Sequence, residues 1–275
     1  WLKVRRPPPA APSRPSPLAP RPLSLRPPAA MASAMTVSRD AGVAVVTFAK
    51  EPVNTMDMAF WKELLATMEG LDADPEVRAI VFQSGLQKSV FTAGLDIKEL
   101  YAPNTSEARI TEFWTTLSSA LIKIYSTSKM TAAAIKGACP AGGCGLALCC
   151  DYRVITADGS MGLNEVQLGI PVPMFWIELF ASVTGHRQAE LLLESGDLVP
   201  SARLVQLGMA DVVVDSADAV LPATLKEVRR WLKSPDVGRA ATKQVLRRSL
   251  AERWTAGIAE EAALTWKSCS EPGTV

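Results

Sequence analysis

A glycine-punctuated stretch constrains this chain more than any other part of it. From Ile135 to Glu165 it reads Ile-Lys-Gly-Ala-Cys-Pro-Ala-Gly-Gly-Cys-Gly-Leu-Ala-Leu-Cys-Cys-Asp-Tyr-Arg-Val-Ile-Thr-Ala-Asp-Gly-Ser-Met-Gly-Leu-Asn-Glu. The pattern parses as strand, glycine turn, apolar helix over 143–150, strand, and then a carboxylate. Gly137, Gly142, Gly143 and Gly145 leave the backbone bare, so a ligand carbonyl can approach main-chain N–H groups at the start of the helix, the end that favours negative charge. Glu165 is the only carboxylate between Asp158 and Glu178. On this stretch alone two readings stand side by side. One is an anion hole with a single base; the other is a tight turn that packs a helix against a strand, with a glutamate at the surface.

A second stretch bears on the choice. Phe91-Thr92-Ala93-Gly94-Leu95-Asp96-Ile97-Lys98-Glu99-Leu100 follows an apolar strand over 79–83 and opens a helix, with Asp96 and Glu99 spaced as a capping box. It offers another exposed backbone N–H. Together the two stretches resemble the crotonase (enoyl-CoA hydratase/isomerase) superfamily, in which a Phe-x-Ala-Gly-x-Asp segment and a Gly-Gly segment each give one N–H to an oxyanion hole for an acyl-CoA thioester. The likeness runs from about Val37 to about Lys267. Within it, Ala-Cys-Pro-Ala-Gly-Gly-Cys and Gly-Leu-Asn-Glu-x-Gln-Leu-Gly-Ile are similar to the Δ3,Δ2-enoyl-CoA isomerase branch of mitochondrial type.

The resemblance implies an α/β fold, the crotonase (ClpP-like) spiral of repeated ββα units, with a helical C-terminal region. The residues agree with that alternation. Strands are expected over 43–48, 79–83, 131–135, 151–156 and 210–214, and helices over 58–70, 107–125, 188–194 and 200–207, with three more over 220–232, 236–250 and 252–267. The division expected is a leader over 1–35, a spiral core over 36–215 carrying the site, and a helical region over 216–275 that covers the site and builds an oligomer, by the resemblance a homotrimer. In the leader, ten of the twenty prolines fall within the first thirty residues and no Asp or Glu precedes Asp40. Such a segment cannot pack a core. Its arginines and serines suit a transit peptide for the mitochondrial matrix, with the peroxisome or cytoplasm as alternatives; equally, Met31 or Met35 is the true start. The chain lacks a C-terminal Ser-Lys-Leu-type address, which counts against peroxisomal import.

Carried over residue by residue, the resemblance makes Glu165 the base and the N–H groups of Ala93 and Gly142 the oxyanion hole. It runs the backbone of Ala93, Gly94, Leu95, Asp96 and Ile97 along the CoA portion of the substrate. Asn164 either contacts the substrate beside the base or is a turn residue. Lys98 and Lys136 are phosphate candidates. Val53-Asn54-Thr55-Met56 resembles a turn beside the CoA site, and Asn54 reads first as turn chemistry, since Asn readily bonds its own backbone. An aromatic stripe over 107–125 (Ile110, Phe113, Trp114, Leu117, Leu121, Ile124, Tyr125) is either core or the wall of an acyl tunnel. Hydratases of the family carry two glutamates, one of which falls at Gly145 here. One carboxylate suffices for a proton shift, so the reaction implied is 3-enoyl-CoA to trans-2-enoyl-CoA, with coenzyme A as part of the substrate and neither cofactor nor metal. The alternatives are another acyl-CoA reaction on the same scaffold (hydratase, dienoyl-CoA isomerase or thioesterase) or a non-catalytic binding module.

Composition removes other classes. The chain has 275 residues, a net charge of +1 and 48% hydrophobic residues, enough for one large core and not basic enough for a nucleic-acid partner. No stretch of eighteen apolar residues free of charge occurs, so no transmembrane span is expected. Cys139, Cys144, Cys149 and Cys150 lie in a Gly/Ala/Leu-rich context without a Cys-x-x-Cys pair or a nearby His; they read as packing rather than a zinc site and suit a reducing compartment. His186 is the only histidine, placed as a solvated first-turn residue rather than a triad member.

Overall fold

The structure, a computed structural model, describes residues 33–271; the expected leader lies outside them up to residue 32, as does the start at Met31, whereas Met35 lies inside. Strand β1 (Met35–Asp40) returns through Ala41 and Gly42, both at positive φ, onto β2 (Val43–Phe48) as an antiparallel hairpin, the twist-matched two-residue loop. Helix α1 (Met58–Ala73), capped by Asp57, leads to β3 (Ala79–Ser84). The short α2 (Ile97–Leu100) and the long α3 (Glu107–Ser126), capped by Ser106, precede β4 (Met130–Ile135). Then follow β5 (Ala138–Pro140), α4 (Gly142–Cys149), β6 (Tyr152–Thr156) and β7 (Ser160–Gly162). A 3-10 turn (Glu165–Leu168) introduces α5 (Met174–Thr184) and α6 (His186–Ser195). The chain continues through β8 (Val199–Pro200), α7 (Ser201–Leu204) and β9 (Val212–Val214) to α8 (Ala217–Trp231) and α9 (Asp236–Cys269).

Two sheets result. The larger runs β1-β2-β3-β4-β6-β9 and is parallel beyond its first hairpin; the smaller runs β5-β7-β8. An isolated bridge from Val90 to Ala138 extends the small sheet. Each turn of the chain thus adds a strand to the large sheet, a strand to the small one and a helix, as in β4-β5-α4 and β6-β7-α5, which is the expected ββα spiral. Burial on both faces explains the apolar runs of β2 and β3. Ala44, Val46, Phe48, Ile80 and Phe82 face the main core, under α1, α3, α4, α5 and α9, whereas Val43, Val45, Ala79 and Val81 face a second cluster closed by α8.

Several expectations change. The helices expected over 236–250 and 252–267 are one helix, α9, of 34 residues. No proline or glycine interrupts it at 250–252, and its buried positions Lys243, Leu250, Ala251, Trp254, Glu261, Ala262 and Thr265 keep one face against α3. Gly257 lets it pass over α5, since a Cβ there would lie 2.6 Å from the Phe175 ring. Its first half is tied down by a buried ion cluster, in which Asp151 meets Lys243 at 2.7 Å and Arg247 at 2.9 Å. Strand β1 had no expected counterpart because five of its six residues are exposed, leaving no alternating apolar pattern to read. The helix expected over 200–207 shortens to α7, and that over 188–194 begins earlier, at His186. His186 is exposed beside Glu190, as a first-turn residue would be. Among the described residues no helix is long and apolar enough to cross a membrane.

Candidate active site

The two glycine stretches meet at the small sheet. Asn54 organises the first of them: buried and at φ 52°, it accepts from the Lys50 N–H (2.8 Å), its amide donates to the Phe91 carbonyl (2.9 Å) and the Ser84 hydroxyl (3.0 Å), and its own carbonyl accepts from Thr92 Oγ1 (2.6 Å). The expected local turn bond is present, and the remaining bonds extend it to the 91–94 segment. Thr92 Oγ1 in turn accepts from the Gly94 N–H (3.0 Å). Residues 94–96 then pair with Met56: the Met56 N–H donates to the Gly94 carbonyl and the Asp96 N–H to the Met56 carbonyl. In such a bridge the intervening residue turns its own N–H the other way. The Leu95 N–H therefore faces away from Met56 and has no partner among the described residues.

Opposite lies the turn Pro140-Ala141-Gly142. A Cβ on Gly142 would come 2.7 Å from Leu95 Cδ2, and one on Gly94 would come 3.2 Å from the Pro140 carbonyl and 3.8 Å from the Gly142 nitrogen. Glycine at both positions is what brings the two backbones together. Gly143 is needed for the same reason, since its Cβ would collide with Thr92 Cγ2 at 2.2 Å. The Gly142 N–H, first in α4, is likewise unpartnered among the described residues. The expected pair of donors is thereby corrected. The Ala93 N–H is donated to the Val53 carbonyl at 2.9 Å and is not free; the N–H without a partner on this strand, among the described residues, belongs to Leu95, whose side chain lies against Gly142.

Glu165 opens the 3-10 turn after β7 and is 6% exposed, and neither carboxylate oxygen has a hydrogen-bond partner in another described residue. Burial pushes its carboxyl up to about 7, with its own backbone N–H pulling the other way by less, because a charge there has lost water and gained little in return. It lines a cavity of about 360 Å³ whose other walls are mostly apolar, among them Leu95, Trp114, Ile170, Val172, Trp176 and Leu264. Two further carboxylates that no motif marks reach this cavity. Glu178 is paired with Arg253 in two bonds of 2.8 and 2.6 Å. Glu261, from α9, accepts from Trp114 Nε1 at 3.0 Å and from the Phe175 N–H at 3.1 Å; burial pushes its carboxyl up while those bonds pull it down. Of the three, Glu165 alone has unused oxygens. In α4, a Cβ on Gly145 would lie 3.6 Å from Cδ2, Cε2 and Cε3 of Trp176, a ring that also lines the cavity, so an indole face covers that position.

The other expected residues take defined places. Asp96 caps α2 by accepting from the Lys98 N–H (3.0 Å). Glu99 does not close the box; its carboxylate accepts from the Met58 N–H and pairs with Arg109, which ties α2 to α1 and α3. Ile97 is exposed. Asn164 is half-buried beside the base with no side-chain bond among the described residues. Lys136 bonds the Leu86 carbonyl. The four clustered cysteines are buried, and burial raises all of their thiols, with the nearby Glu165 charge adding to the effect at Cys144. Of the aromatic stripe on α3 only Trp114 reaches the cavity; the rest is core.

Glu165 and Leu95 line one mostly apolar cavity, and a buried carboxylate together with unpartnered backbone N–H groups is the kind of arrangement that can move a proton next to a carbonyl whose oxygen takes up charge. The model of the family described as enoyl-CoA hydratase/isomerase matches residues 38–272, and the chain belongs to that family. It is 37% identical over 215 residues to "Enoyl-CoA delta isomerase 1, mitochondrial" of Homo sapiens, covering 78% of this chain and 70% of that protein. It is 29% identical to a probable enoyl-CoA hydratase of Mycobacterium avium, covering 80% of this chain and 85% of that one. The fold is the crotonase fold: the crystal structure of human mitochondrial delta3-delta2-enoyl-CoA isomerase superimposes with a TM-score of 0.83 at 34% identity, covering 87% of this chain and 93% of that chain.

Proposed function

We propose that the chain is a Δ3,Δ2-enoyl-CoA isomerase, converting 3-enoyl-CoA, cis or trans, to trans-2-enoyl-CoA in the oxidation of unsaturated fatty acids. The observation that carries this reading is the pairing of one unpartnered carboxylate, Glu165, with an indole over Gly145, the position where the hydratases resembled by the sequence have their second acid. Adding water needs one group to position it and one to deliver a proton. Moving a proton needs a single group that can take it and return it.

Glu165 removes a proton from C2 and the C2–H electrons enter the thioester as a dienolate. The N–H groups of Leu95 and Gly142 hold its oxygen; such a donor is typically worth about 10²–10³ in rate. The proton returns at C4, so the C3=C4 bond becomes C2=C3 at unchanged mass. A carboxyl near 7 is a stronger base than one in water and is still half ionised at neutral pH. The backbone of Gly94, Leu95, Asp96 and Ile97 runs along the CoA portion and Asn164 contacts the substrate; no cofactor or metal takes part. A homotrimer in the mitochondrial matrix is the assembly and location we favour, supported by relatives named as mitochondrial.

The test uses purified protein with trans-3-hexenoyl-CoA, followed by ultraviolet absorbance and mass, beside trans-2-hexenoyl-CoA in water. Conjugation at unchanged mass without a 3-hydroxy product is expected. A gain of one water would make the enzyme a hydratase, and binding without turnover would make it a binding module.

A further inference from the structure

We propose that Glu261 is a positioning residue: from α9 it holds a pair of stacked indoles over Gly145, and this stack keeps water from the face of the substrate where a hydratase would add it. The inference rests on the reading of the cavity as an enoyl-thioester site. Its geometry is independent of that reading.

Three equal contacts of 3.6 Å between the Gly145 Cβ position and the Trp176 ring place the indole face-on over the helix, at van der Waals distance. The ring is 1% exposed, and Trp114 stacks on it with centroids 6.2 Å apart and planes at 25°. One carboxylate ties the Trp114 ring and the start of the helix that carries Trp176. Glu261 Oε2 accepts from the indole N–H of Trp114, the backing ring, and Oε1 accepts from the backbone N–H of Phe175, the residue that precedes Trp176. Phe175 is the second residue of α5, so its N–H is one of those a helix leaves unpaired at its start, and a negative charge is favoured there.

A 2% exposed glutamate is an expensive way to pack a helix, because a buried charge costs free energy that only well-made bonds offset. Leucine or methionine would fill the same volume. What glutamate adds is direction: two bonds from two different elements, α3 and α5, meet at α9 and set the angle of the stack. If the stack loosens, water reaches the space over Gly145 and with it Glu165, whose oxygens are now dry.

Glu261→Leu and Trp114→Phe test this; the second keeps a ring in place and removes only the donor. Kinetics read the pH dependence of kcat/KM for trans-3-hexenoyl-CoA. Protein labelled with 5-fluorotryptophan, its Trp176 fluorine resonance assigned with Trp176→Phe, reads the H2O/D2O shift at that ring without any substrate. In the wild type the Trp176 resonance is expected to be insensitive to D2O. In both variants it should gain an isotope shift, and the apparent pKa of kcat/KM should fall by about one unit as Glu165 is rehydrated. The double variant Glu261→Gln/Trp114→Phe should go no further than Trp114→Phe alone, since both changes break one link. An unchanged resonance and an unchanged pH profile in Trp114→Phe overturn the proposal even if Glu261→Leu does not fold. A wild type that turns over no 3-enoyl-CoA overturns the proposed function instead, and the fluorine experiment still decides the role of Glu261.

Discussion

Replacing Glu165 with glutamine should make the protein inactive and more stable, and the gain should depend on pH in a way that only a buried, unpaired carboxylate produces. The carboxyl rises from its ordinary 4.5 to about 7 through burial. Folded protein then holds the Glu165 proton more tightly than the unfolded chain does. Below pH 4.5 both states are protonated and the site contributes nothing. Between 4.5 and about 7 the folded state carries more protons, so stability falls as pH rises, and above 7 the full penalty is in place. At about 1.4 kcal/mol per pKa unit, the penalty is about 3 kcal/mol. Glutamine keeps the shape and has no charge to bury. Urea denaturation of Glu165→Gln and wild type from pH 4 to 8.5 should therefore give curves that coincide at the acid end and diverge to about 3 kcal/mol above pH 7.5, a difference in Tm of roughly 6–12 °C for a chain of this size. Taking the difference between the two proteins cancels every other titration. Parallel curves would mean that Glu165 is solvated, and with that the argument for it as a strong base would fall. Retained turnover in Glu165→Gln would remove it as the base outright.

The remaining expectations concern the groups around it. The kcat/KM of the wild type should rise with pH through about 7 and then level, because only ionised Glu165 accepts the C2 proton; a flat profile across pH 6–8 would contradict the assignment. Replacing the Leu95 amide by an ester, through the hydroxy-acid analogue of leucine, should lower kcat by about 10²–10³, whereas the same exchange at Ala93 should cost stability through the lost bond to Val53 and leave kcat within a few-fold; the reverse outcome would restore Ala93 as the donor. Gly143→Ala should disrupt the site through the 2.2 Å clash with Thr92 Cγ2, and Thr92→Ser, which removes that methyl and keeps the hydroxyl bonded to Asn54, should recover soluble, active protein. Asp151→Ala leaves Lys243 and Arg247 buried without their partner and should lower stability by about 3–5 kcal/mol, measured by urea unfolding.

How much of this was legible in the sequence follows from what each signal depends on. Hydrophobic period and turn residues are local, so β2, β3, α1 and α3 could be placed within a few residues, and the two glycine stretches pointed to a shared site with Glu165 between them. What was not legible depends on direction and on contacts across the chain. Phe-Thr-Ala-Gly-Leu-Asp shows that a bare backbone is present but not which N–H of the strand is left unpaired; that is decided by the pairing of residues 94–96 with Met56, which leaves the Leu95 N–H without a partner among the described residues while that of Ala93 bonds Val53. The count of carboxylates at positions 145 and 165 stands, but it did not extend to the acids that distant elements bring to the cavity. Glu261 stands in a run of exposed and buried residues on a helix expected to be two, and nothing near it in sequence marks it as part of the cavity. It gets there because α9 is continuous and Gly257 lets it pass over Phe175. The stronger guide is which acids are already bonded: Glu178 to Arg253, Glu261 to Trp114 and Phe175, and Glu165 to no other residue among those described.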